Sequence, residues 1–252
     1  MAAGPAFGQV SSPRRDRASQ GDIEGLRLVI GGGLEFASDS DESEMEFPLT
    51  LEYNFQEDWK FVLESSYIRV NPKDPAEPSS SSIGDLETFL EGEILSERRY
   101  RPALTIETGV KWGTADAPDF GSGEIDYALG LIASKEFEGW DADLGAVYSW
   151  IGSSPGLEAK NVLELSLGAE VELSETFALI GEGVYSIGGD STFRRGGGLG
   201  GGLAESGGGF EYAVGFGIQL SDSLKAETGV GIQADGAWQG IVYLEWDFSG
   251  EG

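Results

Sequence analysis

From residue 22 onward, apolar side chains recur at every second position in segment after segment, the period of a strand and not the 3.6-residue period of a helix. The clearest run is Phe210, Tyr212, Val214, Phe216, Ile218 and Leu220, with Glu211, Ala213, Gly215, Gly217 and Gln219 between them. Phe47, Leu49, Leu51, Tyr53 and Phe55 repeat the pattern against Glu46, Thr50, Glu52 and Asn54. The period predicts twelve strands, at 22–37, 43–55, 59–70, 83–95, 100–112, 123–137, 140–151, 160–173, 176–187, 208–220, 224–234 and 237–248. In the third and ninth of these, Val62, Ile68, Ile180 and Val184 fall on the otherwise polar face.

Two further patterns say where such strands sit. Connections alternate in length: tight turns at 56–58, 96–99, 138–139, 174–175 and 221–223, and longer Ser-, Pro-, Gly- and Asp-rich stretches at 71–82, 113–122, 152–159 and 188–207, with 38–42 and 235–236 as short exceptions. Aromatics gather at both strand ends. Phe55, Trp59, Tyr100, Phe137, Trp140, Phe177 and Trp246 lie by the short turns; Tyr67, Trp112, Tyr127, Trp150, Tyr185, Phe210 and Trp238 lie by the long loops. Transmembrane barrels show both features, short turns on the periplasmic side and an aromatic girdle at each interface. An open sheet edge is not tolerated in hydrocarbon, so twelve strands must close on themselves. No run reaches the roughly 20 apolar residues of a spanning helix; the longest candidate, Leu26 to Leu34, contains Arg27 and three glycines. The expectation is an all-β, antiparallel up-and-down transmembrane barrel over 22–248, with a tail or signal-peptide remnant at 1–21 and a tail at 249–252. A soluble β-sandwich also alternates, but no rule would place aromatics at both ends of its strands.

Composition narrows the function. The 252 residues contain neither Cys nor His, which excludes catalytic imidazoles, thiol nucleophiles and zinc sites built from them. No motif marks a Ser or Thr nucleophile with its base, so no enzyme activity, cofactor or metal is expected. A net charge of −28 repels nucleic acid and anionic lipid head groups, so neither is expected as the main partner. Asp39, Asp41, Glu42 and Glu44 crowd one long-loop side without the spacing of a calcium loop and are read as a solvated acidic loop.

The stretches Glu107-Thr108-Gly109-Val110-Lys111-Trp112-Gly113-Thr114-Ala115, Phe120-Gly121-Ser122-Gly123-Glu124-Ile125-Asp126-Tyr127 and Leu144-Gly145-Ala146-Val147-Tyr148 resemble, in this order, the outer-membrane transporter group named after the MetA pathway of phenol degradation. Gly121, Gly123 and Asp126 match its Gly-x-Gly-x-x-Asp strand, and Gly145 and Tyr148 its Gly-x-x-Tyr strand. The resemblance covers about 50 residues directly. It implies a barrel in the outer membrane of a Gram-negative-type bacterium that admits small, often aromatic, compounds. The chain departs from that pattern in its acidity, in lacking a complete signal peptide and in the tail Ser249 to Gly252 after Phe248.

With the apolar set facing lipid, the alternate positions line the lumen. The candidate pore-lining residues are Glu52, Glu64, Asp85, Glu87, Glu91, Glu93, Arg101, Glu107, Lys111, Asp126, Asp143, Glu164, Glu170, Glu182, Glu211, Glu227 and Glu245. Carboxylates at this density call for water, pairing or protonation, and acidic rings favour cations over anions. Inward Phe89, Ile132, Val147, Ile180, Val184, Ile241 and Tyr243 add apolar patches. Inward glycines, among them Gly31, Gly33, Gly130, Gly217 and Gly231, leave either open space or room for a neighbouring side chain. The resulting expectation is a channel for passive diffusion of small solutes, cation-preferring or neutral and aromatic. Its partners would be outer-membrane lipid and lipopolysaccharide, a small-molecule solute and the barrel-assembly machinery. A barrel plugged inside and acting through its external loops is the alternative.

Overall fold

The computed structural model describes residues 27–38, 42–56, 58–115, 120, 123–152, 160–188, 209–233 and 237–248. They form β-strands and connections, with no helix among them. In chain order the strands are β1 Arg27–Ser38, β2 Glu42–Gln56, β3 Trp59–Pro72, β4 Ser80–Ile83, β5 Leu86–Leu95, β6 Ala103–Trp112, β7 Asp126–Phe137, β8 Trp140–Trp150, β9 Val162–Glu172, β10 Phe177–Gly188, β11 Phe210–Ser221, β12 Leu224–Gln233 and β13 Trp238–Asp247. Every neighbouring pair is antiparallel, and β1 pairs with both β2 and β13, which closes the ring.

Thirteen segments make twelve staves because β4 and β5 share one. Tyr67 to Val70 of β3 pair with β4, and Trp59 to Glu64 of the same strand pair with β5. Between the two segments the Gly84 amide donates to the Ser66 carbonyl at 2.8 Å, which carries the chain across the break. The loop expected at 71–82 is therefore shorter, since β3 runs on to Pro72 and β4 starts at Ser80. A run of serines carries no apolar alternation, so that strand left no signal. The strand expected from residue 100 begins instead at Ala103. Arg98 and Arg101 exchange backbone hydrogen bonds of 2.9 and 3.0 Å, leaving Arg99 and Tyr100 as a two-residue tip. Expected residues 22–26, the tails and loop 188–207 (beyond Gly188) lie outside the described residues. The turn between β7 and β8 needs its glycine: Gly139 has φ of 79°, a region that disfavours any Cβ.

The registers fix the barrel's shape. Followed once around the ring, the cross-strand partners return to β1 displaced by about 14 residues. With about 3.3 Å per residue and about 4.8 Å between strands, that stagger gives a strand tilt of about 39° and a Cα radius of about 12 Å. The same geometry levels the aromatics. Tyr67, Trp112, Tyr127, Trp150, Tyr185, Phe210 and Trp238 form one ring, and Trp59, Phe137, Trp140, Phe177 and Trp246 form another about 23 Å away. Within the second ring Phe137 and Trp140 stack at 4.1 Å.

The two faces separate as the period requires. Outward side chains such as Leu49, Leu131, Leu144, Leu167, Val214, Phe216 and Val242 are exposed. Their inward neighbours are buried, and most of those are acidic, small or glycine. Val62, Ile68, Ile180 and Val184, which broke the pattern in the sequence, do face inward and are buried. An apolar belt outside and carboxylates inside invert the arrangement of a soluble protein.

Candidate functional site

Cross-strand partners lie side by side on one face, so each register row is a strip of lumen wall. One strip runs Thr50, Glu64, Glu87, Lys111, Asp126 from β2 to β7. A second runs Lys60, Glu91, Glu107, Gly130, Val147, Glu164 from β3 to β9. Because the strands tilt, both strips climb from the short-turn end toward the long-loop end. Acidic residues stand next to acidic residues in them, Glu64 beside Glu87 and Glu91 beside Glu107.

Three lysines organise these acids, each reaching two carboxylates. Lys111, only 1% exposed, donates to Asp85 Oδ2 at 3.1 Å and meets Asp126 Oδ2 at 2.8 Å. The second oxygen of each aspartate accepts a loop amide: Asp85 Oδ1 from Ala115 at 2.9 Å and Asp126 Oδ1 from Gly152 at 2.6 Å. Lys111 thus ties two long-loop connections to the wall of β5, β6 and β7. Lys60 lies 3.5 Å from Glu52 and 3.3 Å from Glu91. Lys225 lies 2.9 Å from Glu227 and 3.8 Å from Glu170, two strands beyond its neighbour β11. Small residues make that reach feasible, since the Lys225 stem passes over Gly217.

The candidate pore-lining residues divide into three groups. Glu52, Glu93, Glu170, Glu182, Glu211 and Glu245 face inward and are partly exposed. Glu64, Asp85, Glu87, Glu91, Glu107, Lys111, Asp126, Asp143, Glu164 and Glu227 face inward and are buried, packed against the wall. Arg101 belongs to neither group: it sits at the short-turn rim, where its guanidinium donates to the Ser96 carbonyl at 2.7 Å and braces the turn. Among the described residues, sequence reasoning passed over Ser134, Ser149 and Gln239, all inward and buried. The same alternation marks them.

Several inward glycines are filled by neighbours. A Cβ on Gly31 would overlap the Tyr243 ring and hydroxyl, and one on Gly33 would meet the same ring. Gln239 covers Gly231 and Val147 covers Gly130 in the same way. The apolar patches form two clusters, Phe89 with Val62, Ala128 and Val147, and Ile180 with Ala213, Ile241 and Tyr243. Their buried members are at most 9% exposed. They pack the wall, and the partly exposed carboxylates and lysines give the lumen its character.

No family model matches the sequence, and no curated protein does. Solved structures do match. The COG4313 outer membrane channel from Pseudomonas putida F1 superposes with a TM-score of 0.70 at 11% identity, covering 89% of this chain and 96% of that one. The NanC porin gives 0.57 at 11% identity, covering 87% and 98%, and the KdgM porin gives 0.55 at 7%, covering 86% and 98%. At these identities the likeness establishes the fold, that of outer-membrane barrel channels and porins.

Proposed function

We propose that this barrel is an outer-membrane channel of a Gram-negative-type bacterium, through which small solutes diffuse passively along an acidic, hydrated lumen that favours cations over anions. The observation that carries the reading is the inverted placement of side chains, an outward apolar belt between two aromatic rings and an inward wall of carboxylates with few lysines. Among the partly exposed inward charges, Glu93, Glu182, Glu211 and Glu245 join Glu52, Glu170, Lys60 and Lys225, a negative balance that attracts cations. The solved structures superposed above are themselves named as channels and porins, which supports the same reading. The segments resembling the MetA-pathway group fall mainly on β6, β7 and β8, beside the Lys111 knot. An aromatic solute of the kind that group implies would have to be cationic or neutral to enter.

Reversal potentials in planar bilayers test the proposal. The wild-type chain in a KCl gradient should give a potential of the sign set by K⁺ permeability. Changing Glu93, Glu182, Glu211 and Glu245 together to Gln should move it toward zero. Absence of current, or preference for Cl⁻, rejects the acidic channel.

A further inference from the structure

Five tight turns close the short-turn end of the barrel, and one differs in charge from the rest. The turns at 57–58, 138–139, 173–176 and 222–223 carry Glu57, Asp58, Glu138, Glu175 and Asp222 and no Lys or Arg. The turn between β5 and β6 reads Ser96-Glu97-Arg98-Arg99-Tyr100-Arg101, with three of the chain's 16 cations. A β-bulge between Glu93 and Leu95 shifts the hairpin by one residue, and the Arg98–Arg101 bridge then presents Arg99 and Tyr100 at the tip. Arg98, Arg99 and Tyr100 are exposed, Tyr100 to 86%. The Arg99 guanidinium lies 5.1 Å from the Tyr100 ring centroid. The adjacent acid does not neutralise them: Glu97 instead binds Lys135 and accepts the Glu136 amide. Neither the Arg98 nor the Arg99 guanidinium has an ion-pair partner among the described residues.

The register places this tip roughly 5–10 Å beyond the aromatic ring at the short-turn end, the depth of lipid headgroups. Two guanidinium groups at that depth, beside a tyrosine at the interface, suit a phosphodiester, because the planar fork matches phosphate oxygens. We propose that the Arg98–Arg99–Tyr100 tip binds the headgroup phosphate of an anionic phospholipid in the leaflet facing the short turns. The site would hold phosphatidylglycerol in preference to zwitterionic phosphatidylethanolamine, whose ammonium cancels the attraction. The inference rests on the barrel spanning a bilayer and not on conduction, so a barrel that passes no current leaves it standing.

The test uses the full chain refolded into nanodiscs of equal phosphatidylglycerol and phosphatidylethanolamine, with the lipids retained by the protein counted by native mass spectrometry. Wild type should enrich phosphatidylglycerol about tenfold among tightly held lipids. Arg98→Gln with Arg99→Gln should return the ratio to that of the bilayer, while Lys73→Gln, the loss of one positive charge in a long loop, should leave the enrichment intact and so serves as the charge control for each single arginine change. If the double variant fails to fold, Arg98→Gln and Arg99→Gln singly must each lower it. No enrichment in wild type, or enrichment that survives the arginine changes, overturns the proposal.

Discussion

Tyr243 and the two glycines beneath it show how single residues hold the ring shut. β1 and β13 meet at the seam between the first and last staves, where Tyr243 lies opposite Gly33 and its ring extends over Gly31. We predict that Gly31→Ala, by forcing that ring away, costs about 1–3 kcal/mol, read as a lower urea midpoint in lipid vesicles. In a Tyr243→Ala background the same Gly31→Ala change should cost much less, because the clash disappears with the ring; strict additivity of the two changes would show that they do not meet. At the Lys111 knot the expected cost is larger. Lys111→Met removes the cation from two buried aspartates and should destabilise by about 3 kcal/mol. Combining it with Asp126→Asn should restore part of that, and an unchanged midpoint for Lys111→Met would show that the ion pairs contribute nothing net.

Strands were the most legible elements, because a period of two is local and each strand of a barrel displays it separately. The start and end of β8, β12 and β13 fall within about a residue or two of where alternation begins and fails. The pattern went silent where side chains stopped reporting a face. Among the described residues Ser80–Ile83 pairs only with β3, and Pro102, without an amide hydrogen, precedes the true start of β6. Register was invisible for a related reason. Which lysine meets which carboxylate depends on pairings between segments far apart in sequence, and on shifts such as those at Asn54/Gln56 and Gln219/Ser221. Along β7 the alternation is nonetheless plain, with Asp126, Gly130 and Ile132 buried and Tyr127, Leu129 and Leu131 exposed. There, Leu131→Lys on the outward face near mid-height should cost about 2–4 kcal/mol in a bilayer. Thr105→Lys, inward on the neighbouring strand β6, should cost much less. Equal costs at the two sites would remove the lipid-facing assignment.

For the whole molecule, twelve staves with a stagger of about 14 residues give a ring wide enough for a lumen and narrow enough for its side chains to crowd it. Under the proposed function the balance of charge would decide what crosses, and the lysine knots would decide which carboxylates remain at the water. Composition announced the acidity, but not that Glu87 and Glu91 would be packed into the wall while Glu93 stays partly exposed. All of this depends on which face meets lipid. The absence of cysteine makes that directly measurable with single substitutions on β9, where adjacent residues at mid-height point opposite ways. In proteoliposomes, a cysteine in place of Ser166 should react with a membrane-impermeant cationic thiol reagent. Fluorophores attached in place of Leu165 and Leu167 should be quenched by nitroxide-bearing lipid. Reaction at positions 165 and 167 with the aqueous reagent, together with protection at 166, would contradict the account.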